Sequence, residues 1–394
     1  MAYDPFEFFF PTRILFGAGE SARTAEYLER FLAPRRVFVV TYGDFTLPAL
    51  PGILRALEAA GMETALYAHA VPNPRAADVD AGAQAYRSSG ADCILGVGGG
   101  SVIDTAKAIA LLAANPSAGG VWDYVGGGAQ PARPAAPVAL VVSIASTGSE
   151  GNESFVLTGP DGRQKLIYSH ESLRPLFSVC DPELSYTLPP RQTALGAADI
   201  FSHILEQYLH GQPGVEASDE MSLGLMRAVV QYAPRALAVP DDAAARANLM
   251  WASILAMSRV LGVGHAENWV CHMLEHAVSA RFDLPHAAGM TAIFPAYLAF
   301  IAPQDAAGKL AKLSARVFGA AQSEQAGAGA VRAFFRGLGL PVSLTEALGR
   351  RPGAAEIGEL AQNAIPWGAM EAGGYRPFTV QDAEAVLLMA LEEH

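Results

Sequence analysis

Up to Leu188 the chain alternates short apolar, β-rich runs with stretches of helical spacing, and beyond Pro190 the alternation stops. Arg36–Thr41 (RVFVVT), Thr64–Ala70, Cys93–Val97 and Pro137–Ile144 read as strands. Between them, segments closed by Gly61 and Gly90, and the run Ile103–Ala114, read as helices. Apolar strands joined through helices imply a parallel sheet covered on both faces. Phe6–Phe16, with Pro11 inside it, suits edge strands better than a central one. From Pro189 to Glu393 nearly everything has helical spacing and is rich in Ala, Leu, Glu and Met. A chain of 394 residues exceeds one ordinary core. The expected organisation is an α/β domain over residues 1–188 and an all-α domain over 189–394.

Charge and cysteine usage narrow the function classes. The 39 acids outnumber the 27 bases, for a net charge of −12. That disfavours nucleic acid, whose phosphates need a basic face. Cys93, Cys180 and Cys271 lie far apart in apolar surroundings, with no CxxC pair, so buried free thiols in a reducing compartment are expected. The N-terminus lacks the features of a signal peptide. No stretch reads as a run of roughly 18 uncharged apolar residues, so a cytoplasmic protein without a membrane span is expected.

Four features could carry chemistry. Gly98-Gly99-Gly100-Ser101 lies between a strand and a helix and is followed by Asp104 and Lys107. Glycines at such a turn let backbone N–H groups approach an anion at the helix N-terminus, although a ligand-free tight turn reads equally well. Ser143 to Glu150 (SIASTGSE) follows the strand ending near Ile144 and places hydroxyls at the carboxyl end of the sheet, as a nucleotide loop or a solvated turn. Asp199 and His203 are four apart on one helix face among Ala, Ile, Phe and Leu, either as an ion pair or N-cap, or as metal ligands. His272 and His276 repeat that spacing and His286 follows, so six of the nine histidines fall between 203 and 286. Several imidazoles beside an Asp/His pair suit a first-row divalent metal. Glu206 and Glu275 read as solvent-facing salt-bridge partners, with a role behind the histidines as the alternative.

Together these pieces resemble the iron-containing (group III) alcohol dehydrogenases over nearly the whole length. The matching segments are PTRILFGAG from Pro11, Pro72-Asn73-Pro74, GGGSVIDTAKAIA from Gly98, ASTGSE from Ala145, DPELSYTLPPRQ from Asp181, DIFSHILEQY from Asp199, and HMLEHAVSARFDLPHA from His272. The pattern is most similar to the butanol-dehydrogenase and aldehyde-reductase branch. The resemblance implies a Rossmann-like dinucleotide-binding domain, a helical domain and a divalent metal ligated by Asp199, His203, His272 and His286. Iron(II) is the expected metal and zinc the alternative. It places His276 beside the nicotinamide, where it is the candidate to steer proton relay. The cofactor contacts it implies are Asn73, Gly99, Gly100, Ser101, Asp104, Ser143, Thr147, Asn152 and Lys165. Where the NADPH-linked branch reads TYGGGS, this chain has Tyr42-Gly43-Asp44-Phe45-Thr46. A carboxylate there accepts hydrogen bonds from a ribose and repels a 2′-phosphate, favouring NAD(H) over NADP(H).

The expected activity is metal-dependent hydride transfer between NAD(P)(H) and a small alcohol or aldehyde, by a homo-oligomer of two or more subunits. Three alternatives stand beside it. A metal-independent reductase of related fold would lack the histidines, which this chain has. A dehydroquinate-synthase-type cyclase or lyase would need several basic groups near the metal, and Ala266–Met290 offers only Arg281. A non-catalytic nucleotide sensor would bind cofactor without turnover. Phe155, Trp251 and Trp269 could line an aliphatic pocket or simply pack the core.

Overall fold

The first half folds around a six-stranded parallel sheet, because each apolar strand is followed by a crossover that returns the chain in the same direction. The coordinates are a computed structural model and describe residues 3–43, 45 and 47–392. Asp44 therefore lies outside the described residues.

The strands are β1 (Arg13–Phe16), β2 (Arg36–Tyr42), β3 (Glu63–Ala70), β4 (Cys93–Gly98), β5 (Val138–Val142), β6 (Ser154–Thr158), β7 (Lys165–Ser169) and β8 (Phe177–Cys180). The helices of this half are α1 (Thr24–Phe31), α2 (Leu50–Ala59), α3 (Ala76–Ser89), α4 (Gly100–Ala114) and the single turn α5 (Trp122–Val125). Across the sheet the order is β3-β2-β4-β5-β8-β1. From β2 the chain steps outward to β3 and then returns to the other side of β2 as β4. The strand order reverses between β2 and β4, so their carboxyl ends flank the crevice where open α/β sheets bind ligands.

β4 and β5 are buried at every position, which explains why they read as continuous apolar runs. On one face Val37, Val39, Leu95, Val97 and Val141 pack with Leu28 of α1 and Ile53 and Leu57 of α2. On the other lies α4, buried at every residue from Val102 to Leu111, so its glycine-rich start is held rigidly.

Three readings change here. Only Arg13–Phe16 of the Phe6–Phe16 segment is a strand; it is the edge strand beside β8, and Pro11 lies before it without a ladder position to disrupt. The antiparallel hairpin β6–β7 is a separate two-stranded sheet that the periodicity did not reveal. β8, only four residues long, also escaped notice, yet it sits between β5 and β1.

The chain divides into two compact units, Phe10–Leu188 and a second formed by Met1–Phe9 with Pro189–His394. The second unit is predominantly helical: α6 (Pro190–Tyr208), α7 (Glu216–Ala238), α8 (Ala243–Ala256), α9 (Val270–Phe282), α10 (His286–Ile301), α11 (Lys309–Phe318), α12 (Glu324–Gly337), α13 (Leu344–Leu348), α14 (Ala354–Ala364) and α15 (Val380–Met389). Pro190 opens α6 at the position where a missing N–H costs nothing. α6 is buried from Thr193 to Tyr208 and α10 from Ala287 to Leu298, so these two form the centre of the bundle. Contrary to the sequence reading, His286–Gln304 is long and apolar enough to cross a membrane by length and composition. In the fold 72% of its most apolar 18 residues are buried, as befits a core helix.

Candidate active site

α6, α9 and α10 bring one carboxylate and three imidazoles to a single point. Asp199 and His203 lie one turn apart on α6, His272 lies in the first turn of α9, and His286 is the first residue of α10. One ligand atom from each of the four lies within 4.8 Å of the others. Asp199 Oδ1 is 3.9 Å from His203 Nδ1 and 3.6 Å from His286 Nε2. The His203 and His272 rings stack at 4.6 Å between centroids, and His286 lies 5.1 Å from His272. Asp199 sits nine residues beyond the start of α6, so the N-cap reading of it does not hold.

Glu206 and Glu275 are not solvent-facing. Both are fully buried, because they project from α6 and α9 into the bundle. Glu206 Oε2 accepts from His272 Nδ1, and its Oε1 accepts from the Cys271 and His272 backbone N–H groups at the start of α9. Glu275 Oε2 accepts from His286 Nδ1, while its Oε1 accepts from Ser279 Oγ. A carboxylate on Nδ1 keeps the proton there and directs the Nε2 lone pair the opposite way, toward Asp199 and His203.

The donor set fits a divalent metal on an observation independent of spacing. His203 Nδ1 and His272 Nε2 are buried with no hydrogen-bond partner among the described residues. Such atoms are costly unless something accepts their lone pairs. Burial pulls His203 down to about 4, with Asp199 opposing and His272 assisting, so its ring is neutral near pH 7. Burial pulls His272 down as well, but Glu206 more than compensates and holds it above the ordinary histidine value. Three nitrogens and one oxygen make a set suited to iron(II), zinc or manganese.

His276 follows His272 by one turn on α9 and is 7% exposed, its ring 5.5 Å from that of His286. Glu275, His276 and His286 also converge within 4.8 Å, so His276 borders the same cluster without belonging to the four. Trp269 meets His272 edge-on at 5.2 Å and is a wall of this site. Phe155 is buried in the α/β unit, and Trp251 is 45% exposed on α8.

In the α/β unit the sequence-predicted residues gather at the carboxyl ends of β4 and β5. Gly99 is the N-cap of α4, and its N–H donates to Tyr42 Oη at the end of β2 (3.0 Å), directly at the strand-order reversal. A Cβ on Gly100 would fall well inside contact distance of the Thr147 methyl and 2.9 Å from its Oγ1, so glycine is required for the close approach of the two loops. Ser143 N–H donates to Gly98 O (3.0 Å), tying the ends of β4 and β5 together. Ser101 lies in the first turn of α4, and its carbonyl accepts from Thr105 Oγ1. Lys165 Nζ donates to Asn73 Oδ1 (2.9 Å), joining β7 to the loop after β3, where Asn73 adopts φ 51°.

Asp104 and Asn152 sit deeper than the others. Asp104 accepts from Ser149 Oγ and the Val156 N–H, and Asn152 Oδ1 accepts from Lys107 and the Ser154 N–H. Burial raises Asp104 to about 6, against the opposing pull of Lys107 and Ser149. The sequence reading noted Lys107 after Asp104 and Ser149 within the hydroxyl loop but gave neither a role of its own, and it gave Tyr42 none. Lys107 stands three residues after Asp104 in an otherwise apolar helix, a signal that was available in the sequence.

Comparison with known proteins gives these two constellations a context. Residues 11–182 match the family described as iron-containing alcohol dehydrogenase, and residues 193–391 match the C-terminal region of that family. The NADH-dependent butanol dehydrogenase B of Clostridium acetobutylicum is 36% identical over 318 residues, 80% of each chain. The NADPH-dependent aldehyde reductase of Escherichia coli is 31% identical over 344 residues, covering 85% of this chain and 87% of that one. The crystal structure of NADH-dependent butanol dehydrogenase A from Thermotoga maritima superposes with a TM-score of 0.91 at 30% identity, covering 99% of this chain and 100% of that one.

Proposed function

Because the chain belongs to the iron-containing alcohol dehydrogenase family, we propose that it is a metal-dependent oxidoreductase moving a hydride between a nicotinamide dinucleotide and a small alcohol or aldehyde. The observation that carries the reading is the Asp199/His203/His272/His286 cluster, buried at its first three residues and half-buried at His286, with two of its imidazoles oriented by Glu206 and Glu275. In this reading those four residues hold the metal. When bound, it supplies Lewis-acid polarisation of the substrate oxygen. Iron(II) is the metal proposed, by family, with zinc the alternative.

The protein's own groups do the remaining work. Glu206 and Glu275 keep the protons of His272 and His286 on Nδ1, so that Nε2 of each faces the site as a base rather than a donor. Burial keeps His203 neutral. His276, beside the cluster, steers the proton that the substrate oxygen loses or gains as the alcohol and carbonyl interconvert. Gly99, Gly100 and Ser101 at the start of α4, with Ser143 and Thr147, bind the dinucleotide phosphates; backbone N–H groups and the positive end of α4 provide the attraction. Asn73 and Lys165 contact the ribose and phosphates from the side, and Asn152 orients the nicotinamide half. Trp269 gives the substrate side an apolar wall.

NADH is the proposed cofactor. The Asp44 carboxylate supports this, as do the NADH-dependent butanol dehydrogenases among the relatives, whereas the related aldehyde reductase uses NADPH. A cytoplasmic homo-oligomer completes the reading, in keeping with three free buried thiols. The relatives named above lend the cyclase alternative no support.

The test is oxidation of NADH, and separately NADPH, by purified protein supplied with iron(II) and butanal, with and without chelator. Chelator-sensitive turnover with NADH preferred is the expected result. No turnover with either cofactor, in protein shown to retain metal, refutes the reading.

A further inference from the structure

The turn at residues 149–154 is folded around one buried ammonium. Lys107 lies on α4, two turns beyond the glycine-rich start, and is fully buried. Its Nζ lies 2.5 Å from Ser149 O, 3.0 Å from Ser149 Oγ, 2.8 Å from Asn152 O, 3.2 Å from Asn152 Oδ1 and 2.9 Å from Ser154 O. Three protons thus serve five oxygens, three of them backbone carbonyls whose negative ends converge and would repel one another without a cation between them. Asp104, one turn earlier on α4, grips the same segment with the opposite sign: Oδ1 accepts from Ser149 Oγ (2.9 Å) and Oδ2 from the Val156 N–H (3.2 Å). Around them stand Glu150, Glu153 and Arg174, the last two paired at 2.7 Å. Burial lowers Lys107 to about 8, while Asp104, Glu150 and Glu153 oppose that pull, so it carries its charge at neutral pH.

Packing alone does not call for this charge, since a methionine would fill similar space without the cost of burying an ammonium. What the ammonium does is geometric. By taking Asn152 Oδ1 inward, together with the Ser154 N–H, it turns the amide's donor end away from itself. By taking Ser149 O and Oγ it anchors the residue whose N–H donates to Thr147 Oγ1 (3.3 Å). We propose that Lys107 is a positioning residue for the dinucleotide: its ammonium holds the 149–154 turn so that Thr147 and the Asn152 amide face the nucleotide, which Lys107 itself does not touch. This rests on the nucleotide reading of the loop given above.

The test uses full-length, metal-loaded protein and two readouts, the NADH dissociation constant by fluorescence titration and the steady-state constants with butanal. Lys107→Met removes the ammonium from all five oxygens, and the NADH dissociation constant and KM should rise about ten-fold or more, as expected for loss of a buried charge-assisted contact. Bound metal and the KM for butanal at saturating NADH should stay within about two-fold, because nothing at the metal cluster changes, and kcat should fall less than the affinity for NADH does. Lys107→Arg, which keeps the charge, should recover most of the affinity, and Ser149→Ala should show a smaller rise in the same direction. A Lys107→Met protein that binds NADH as wild type does overturns the proposal. So does one whose kcat falls in parallel with its affinity while Lys107→Arg is equally impaired, since that is general damage. Should Lys107→Met fail to fold, an unchanged NADH affinity in Ser149→Ala overturns it. Absence of NADH binding by the wild-type protein would instead refute the dinucleotide reading itself.

Discussion

Replacing Glu206 with glutamine tests whether its charge, rather than its shape, prepares His272. In the native site one oxygen accepts from the Cys271 and His272 N–H groups and the other from His272 Nδ1, so Nε2 is left as a lone pair. Glutamine has a single acceptor oxygen. If it stays with the backbone N–H groups, the amide NH2 faces Nδ1 and the imidazole proton moves to Nε2, the atom meant for the metal. If the amide turns over, its NH2 confronts the Cys271 N–H, and a buried donor loses its acceptor. The first arrangement preserves the start of α9, so metal-free stability should fall by no more than about 1 kcal/mol. Metal affinity should fall by about 10- to 100-fold, or roughly 1.4–2.8 kcal/mol, the range typical of removing a ligand's hydrogen-bond partner. Glu206→Ala should add a stability loss of about 1–3 kcal/mol, because it strips the backbone N–H groups too. Competition with a chromogenic chelator reads the affinity, and thermal melting of the stripped protein reads the stability. Wild-type metal affinity in Glu206→Gln would refute the argument that this carboxylate fixes the imidazole tautomer.

Four further outcomes are expected. His203→Ala and His286→Ala should lose bound metal and turnover together, by elemental analysis and assay; a metal-free variant with full activity would contradict the ligand assignment. Gly100→Ala drives a Cβ into Thr147, so NADH affinity should drop about ten-fold or more while the metal content stays normal. Asp44→Ser removes the carboxylate expected to repel a 2′-phosphate and should shift the NADPH/NADH ratio of kcat/KM upward about ten-fold or more. Lys309→Met should cost about 3 kcal/mol of stability in a melting experiment, because the ammonium is buried between Asp219 and His210 and its loss leaves the Asp219 carboxylate with the His210 hydrogen bond but without the buried cation.

Local pattern was sufficient for much of the architecture. VFVV of β2 and CILGVG of β4 are uncharged and apolar throughout because both faces of their strands are covered, and that property belongs to the residues themselves. Asp199 with His203, and His272 with His276, advertised shared helix faces through their four-residue spacing, which requires only that a helix form. The short strand FSVC and the hairpin of SFVLT with KLIYS carried too few residues for a period to emerge.

The sequence by itself determined which residues could meet along one element: the glycine turn opening α4, the Asp/His pair on α6, and the histidines of α9. Only the tertiary structure decided what each of them faces. Glu206 orients His272 across 66 positions and Glu275 orients His286 across 11, from one helix to the next, and no helical periodicity reaches between helices. Lys107 likewise meets its five oxygens 42 to 47 residues away. A charged residue looks solvent-facing in a sequence because exposure is its cheapest state. It becomes an orienting group only when packing removes water and leaves a specific partner as its remaining source of hydrogen bonds.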